Sequence, residues 1–165
     1  LEIYSENLHE GCDLDTKVFS ESAAEILGSL VGSEGEASIV FVSDERIREL
    51  NRTYRGTDRA TDVLTFSLHG DSLSRGVLGD VVISLETASR RAKRRGVPLE
   101  EEVLRLLVHG LLHLAGYTHD GREDGARMRK LEREFLAEHM DRMRRRRNGR
   151  TAGNRKRKER HGKRA

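Results

Sequence analysis

The run VLRLLVHGLLHLAGYTH, residues 103–119, decides how the chain is read. From Val103 to Tyr117 it is almost wholly apolar, interrupted by Arg105, His109 and His113. A membrane crossing needs about 20 consecutive apolar residues, so this shorter, interrupted run predicts a helix buried inside a globular domain. Pro98 stands where a helix can begin, acids follow in the first turn as the helix dipole favours, and Gly116 stops the helix just past Ala115.

Around this helix the periodicity predicts a small α+β domain. Glu2 to Asn7 reads as an opening strand. Asp15 to Val31 carries Val18, Phe19, Ala23, Ile26, Leu27 and Leu30 at helical spacing, closed by Gly32. Ala37 to Val42 is a buried strand. Ser43 or Asp44 caps a helix expected to run through Arg52, and the polar stretch Thr53 to Thr61 reads as a loop. Val63 to Phe66 is a short strand, His69 to Gly76 a mobile Gly/Ser-rich connection, and Gly79 to Ser84 a second buried strand. Leu85 to Arg95 is a basic helix ended by Gly96, and a last amphipathic helix spans Glu123 to Met143. Strands and helices mix without strict alternation, which predicts a small mixed sheet packed with about five helices. The strand order is not readable from one sequence.

The chain has 165 residues, one domain's worth, with 35% apolar and 36% charged residues. One cysteine, Cys12, excludes an internal disulfide, and with no leader-like segment it points to a reducing cytoplasm. The net charge of +3 conceals an asymmetry: from Arg142 onward there are 13 Lys or Arg against Glu159 alone, so the rest of the chain is net −9. This divides the sequence into a domain, 1–143, and a basic tail expected to be disordered, 144–165. An acidic body with a basic tail suggests a polyanionic partner such as nucleic acid; a solvated extension is the plainer meaning.

His109 and His113 are four apart, so a helix places both imidazoles on one face. Gly116 lets the chain turn back and bring His119 to the same point. Three neutral imidazoles leave a fourth position open for water, the layout of catalytic zinc, whereas structural zinc usually has four protein ligands rich in cysteine. Burying two histidines among leucines without a partner is costly, which also favours a metal. Metzincin proteases use the same ligand spacing, but their general base is a glutamate directly after the first histidine, where this chain has Gly110. A protease reading therefore keeps the ligands and loses the base.

The segment HGLLHLAGYTH, residues 109–119, strongly resembles the signature of the YbeY family of ribosomal RNA maturation endoribonucleases. LNRTYR (50–55), TDVLTF (61–66) and LGDVVI (78–83) resemble further motifs of that family in the same order. The resemblance runs from about Glu36 to Phe135 and leaves out the basic tail. It implies a single mixed α+β domain and one zinc ion on His109, His113 and His119. It implies cleavage of single-stranded RNA in ribosomal RNA maturation and ribosome quality control, with ribosomal subunits or ribosomal proteins as partners. It places the family's functional arginine on Arg55, which with His109 makes the expected catalytic pair. Two departures stand out: Thr118 replaces an aspartate, for which Asp120 could substitute, and Ser67 replaces a proline.

Phosphodiester cleavage builds negative charge on phosphoryl oxygens, and Arg55 offers a planar fork for it. No carboxylate at motif spacing presents itself as general base. Arg90, Arg91, Lys93, Arg94 and Arg95 could line an RNA path, though a solvated helix face is the commoner meaning. With three Tyr, four Phe and no Trp, base-stacking platforms are few. His9, His69, His139 and His161 are isolated and receive no role, and Met128 reads as core. The competing class is a non-catalytic ribosome assembly factor whose metal stabilises the fold.

Overall fold

A computed structural model describes residues 1–68 and 76–162, with side chains through Arg147. The connection expected at His69 to Gly76 lies almost wholly outside the described residues. The elements in chain order are β1 (Glu2–Asn7), α1 (Thr16–Val31), β2 (Glu36–Val42), α2 (Asp44–Arg55), β3 (Val63–Ser67), β4 (Val77–Ser84), α3 (Leu85–Arg95), α4 (Leu99–Leu114) and α5 (Arg122–Gly162). The α+β class is as the sequence reads. Among the described residues the strands form one four-stranded sheet in the order β1-β2-β4-β3; β1, β2 and β4 run parallel and β3 pairs antiparallel with β4. No described helix is long and apolar enough to cross a membrane.

The sheet sorts its residues by the period of two that strand geometry imposes. Ala37, Ile39, Phe41, Val81 and Ile83 face α1 and α4 and belong to the main core with Phe19, Leu107 and Leu111. Val42, Leu64 and Val82 face the other way and form a small second core with Ile47 of α2. Arg55 closes the last turn of α2, with Gly56 in the left-handed conformation after it. The expected loop therefore starts at Gly56, three residues later than the sequence reading placed it, because Asn51, Arg52 and Tyr54 tolerate a helix whose inner face is already held by Ile47.

Two glycines set how closely elements approach. At Gly79 the backbone has φ +127°, and a Cβ there would collide with the carbonyl oxygen of Phe66. Gly110, in the middle of α4, lies against the sheet: a Cβ would sit 2.7 Å from Val81 Cγ1, 3.3 Å from Thr65 Oγ1 and 3.4 Å from Val63 Cγ2. The residue standing where a metzincin carries its base is thus a packing contact with no room for any side chain.

Charged side chains tie the helices together. Glu102 is fully buried among Arg91 (3.1 Å), Arg95 (3.4 Å) and Arg105 (3.8 Å). Arg90 pairs with Asp44 at 2.7 Å, and Arg91 also pairs with Asp62. Three members of the α3 basic run are therefore engaged by acids of α2, α4 and the loop before β3. The last helix passes the boundary expected after Met143. Its Arg144 makes a two-pronged bond to buried Glu101 (3.0 and 2.7 Å), Arg146 meets Glu21 at 2.6 Å, and Arg142 meets Glu25 at 2.5 Å. Part of the charge asymmetry is thus answered within the chain. The helix runs on to Gly162 through most of the stretch 144–165 expected as a disordered tail, and the side chains from 148 onward lie outside the described residues.

Gly110→Ala has two opposed effects. Alanine favours a helix interior by about 1 kcal/mol, while overpacking a fixed core costs about 1–3 kcal/mol. The stiff, β-branched Val81 lies in a central strand and cannot retreat, so net destabilisation is expected in denaturant unfolding; a gain in stability would show that α4 has slack above the sheet.

Arg144 holds the Glu101 carboxyl below the usual glutamate range, chiefly through its hydrogen bonds. A carboxyl lowered on folding contributes stability that is fully present above its unfolded value, near 4.3, and is lost as pH falls through its folded value. The stability difference between wild type and Glu101→Gln is therefore expected to be flat above about pH 5 and to shrink in acid. A difference that persists unchanged to about pH 3 would show that the carboxylate charge plays no part.

Candidate metal centre

His109 and His113 lie one turn apart on α4, and each has its inner nitrogen committed. The helix ends in a paired turn: Gly116, at φ +88°, donates its N–H to His113 O and Tyr117 donates to Leu112 O, both at 3.0 Å. That turn brings the Tyr117 carbonyl to 2.9 Å from His113 Nδ1. A carbonyl only accepts, so His113 Nδ1 carries the proton and Nε2 carries the lone pair. Burial first, then the neighbouring His109, holds His113 below the usual imidazole range and so favours its neutral form. On the other side, Glu132 of α5 accepts from His109 Nδ1 at 2.6 Å, again leaving Nε2 free.

The two Nε2 atoms face each other 3.2 Å apart. Two lone pairs at that distance repel unless a cation lies between them. Two nitrogens each about 2.0–2.1 Å from a tetrahedral zinc are separated by about 3.3 Å, so the spacing fits. His119 follows the turn, its ring centroid 5.3 Å from both other rings, and the ligand atoms of all three lie within 4.8 Å of one another. The carboxylate behind His109 is the partner that metal-binding histidines usually have. Glu25, Glu138 and His139 are also close enough to share an ion, but Arg142 already supplies the cation there through both Glu25 oxygens.

Beyond the histidines opens a groove of about 610 Å³. Its lining includes Arg55, Arg59, Thr57, Thr61, Thr65 and Ser67 together with His109 and His113, and no carboxylate among the described residues. Arg55 thus shares one groove with both histidines, and its Nη2 donates to Thr65 O at 3.1 Å. The parity of the β3–β4 ladder explains why that oxygen is available. Asp62 and Leu68 bond to β4, so the odd residues between them turn their backbone groups to the open edge.

Of the departures, Thr118 Oγ1 accepts from Asp120 N at 3.3 Å, so threonine closes the turn before His119. Ser67 does more than loosen a loop: its hydroxyl donates to Leu114 O at 3.2 Å, tying β3 to the end of α4. Sequence reasoning missed Glu132. A signal existed, because Met128, Leu131, Phe135 and Leu136 mark the inner stripe of α5 and Glu132 sits within it. It read Asn51 only as a motif member; buried within α2, its amide donates to Arg59 O at 2.8 Å.

The family model described as Endoribonuclease YbeY matches residues 5–140. The chain is 46% identical over 127 residues to an endoribonuclease YbeY of Pelotomaculum thermopropionicum, covering 73% of this chain and 84% of that one. It is 46% identical over 119 residues to that of Aquifex aeolicus, covering 71% and 79%. The solution structure of TM1509 from Thermotoga maritima superposes with a TM-score of 0.63 at 28% identity, covering 86% of this chain and 91% of that one.

The geometry predicts about one divalent ion per chain, with its affinity graded by the residues behind the ligands. His109→Ala with His113→Ala should abolish binding in a metal competition titration. Glu132→Gln should weaken it roughly 10–100-fold without lowering the melting temperature of the metal-free protein. Full affinity in Glu132→Gln would remove that carboxylate from the centre.

Proposed function

This chain belongs to the YbeY endoribonuclease family, and we propose that it is a metal-dependent endoribonuclease that cuts single-stranded RNA in ribosomal RNA maturation. The proposal includes zinc on His109, His113 and His119, Arg55 as the phosphate-binding catalytic residue, action at the small-subunit RNA 3′ end and in ribosome quality control, and a cytoplasmic setting with ribosomal subunits or ribosomal proteins as partners. The observation that carries it is the groove itself. In a body with net negative charge, the surface leading to the paired Nε2 atoms presents, among the described residues, two arginines and several hydroxyls and no acid. Such a lining accepts a polyanion and repels nothing in it.

The chain's own groups divide the work. Thr65 O anchors one arm of Arg55, leaving the remaining donors of the guanidinium for phosphoryl oxygens, where charge grows as the bond breaks. Tyr117 O and Glu132 orient His113 and His109 by holding their Nδ1 protons. When bound, the ion supplies concentrated positive charge and Lewis acidity at the histidine end of the groove. None of the described groove-lining residues is a carboxylate, and the role of general base is assigned to none of them. The protease alternative fails at Gly110, where a glutamate would collide with Val81.

The test is cleavage of a labelled single-stranded oligoribonucleotide and its duplex, with wild type, Arg55→Ala and His113→Ala. Strand-selective cleavage by wild type is expected, with Arg55→Ala losing roughly 10²-fold in kcat while keeping its metal and melting temperature. A folded, RNA-binding wild type that cuts neither substrate would favour a non-catalytic assembly factor with a stabilising metal.

A further inference from the structure

We propose that Arg59 is a second phosphate contact of the groove, holding the RNA strand at a phosphodiester beside the one that Arg55 engages. The inference rests on the endoribonuclease reading and extends it to a residue outside the recognised motifs.

Many of the described arginines are spent on carboxylates. Arg46 binds Glu49, Arg90 binds Asp44, Arg142 binds Glu25 and Arg144 binds Glu101. Arg59 is exposed, lines the groove, and has no side-chain partner among the described residues. Its backbone is nevertheless held in place. The Asn51 amide, buried in α2, donates to Arg59 O at 2.8 Å, and Arg59 N–H donates to Thr57 O at 3.0 Å. A fixed main chain carrying a free guanidinium suits capture of an extended strand, because little ordering is left to do on binding.

The nearest acid in sequence is already occupied. Asp58 directly precedes Arg59, and Arg48 holds it with two bonds, Nε at 2.8 Å and Nη2 at 3.0 Å. That pairing draws Asp58 away from its neighbour and keeps Arg59 from being neutralised. Arg55 and Arg59 therefore differ in kind: Arg55 is braced by Thr65 O beside the histidines, whereas Arg59 reaches from an anchored loop with no side-chain donor engaged among the described residues. The first suits charge that develops at the reacting phosphoryl group. The second suits a phosphate whose charge stays constant through the reaction. Equal binding to ground and transition states changes affinity and leaves the chemical step alone.

The experiment measures both steps on a single-stranded oligoribonucleotide with metal-loaded wild type, Arg59→Ala and Arg59→Lys. Steady-state cleavage gives kcat and KM, and a salt series with a non-cleavable oligonucleotide of 2′-deoxy sugars gives the slope of log affinity against log salt. For Arg59→Ala a KM about tenfold higher is expected, with kcat within about twofold and the slope shallower by about 0.7, the loss of one single-strand phosphate contact. Arg59→Lys, which keeps the charge, should recover most of the slope. Unchanged KM and slope in Arg59→Ala would overturn the proposal, as would a fall in kcat at unchanged KM. If wild type binds RNA but cuts nothing, the endoribonuclease reading fails separately, and the salt series alone still decides whether Arg59 holds a phosphate.

Discussion

The distance between α4 and the sheet is the constraint on which the rest of the molecule depends. Gly110 sets that distance by presenting no Cβ to Val81, Thr65 and Val63. With the helix this close, His109 and His113 come level with the open edge of β3, and the same groove takes in Arg55 from α2. A helix held farther out by even a methyl group would lift the histidines away from that edge. The position that looks at first like a lost catalytic residue is thus the contact that brings the ligands and the arginines together.

Charge is handled in two ways across the same surface. Around α3, α4 and the end of the described side chains in α5, arginines meet acids: Glu102 sits among three of them and Glu101 is clasped by Arg144. A buried carboxylate in such surroundings is costly to strip of its partners, so these arginines belong to the fold. In the groove the opposite holds, and among the described residues no acid answers Arg55 or Arg59. The separation explains how an acidic body keeps one cationic path, and why the basic run of α3 is a poor guide to where a polyanion would lie.

Much of this was legible in the sequence because it rests on local rules. The 3.6 and 2.0 periodicities gave the elements of the α+β fold, and four-residue spacing with a glycine turn gave the histidine cluster. Strand order was not legible, since β1, β2 and β4 lie parallel through crossovers that leave no local mark. Arg55 was assigned to a loop and stands on the last turn of α2, because the polar outer face of that helix resembles loop composition. Glu132 went unnoticed for a related reason: an isolated acid on an amphipathic helix reads as surface until the partner across the interface, His109, is seen. Asn51 was legible as a motif member but not as the anchor of Arg59, which depends on a contact between α2 and the loop beyond it.

The order of elements along the chain has a consequence for synthesis on the ribosome. All four strands lie before Leu85, while the helix that covers their apolar face begins at Leu99 and ends at Leu114. At roughly 5–20 residues per second, the face formed by Ile39, Phe41, Val81 and Ile83 waits on the order of seconds for its cover. During that interval α1 alone is available to shield it. Glu132, the carboxylate that orients His109, emerges later still. The nascent chain therefore acquires its scaffold first, its histidines second and their orienting acid last, so a metal ion meets a fully prepared centre only when most of the domain has been made.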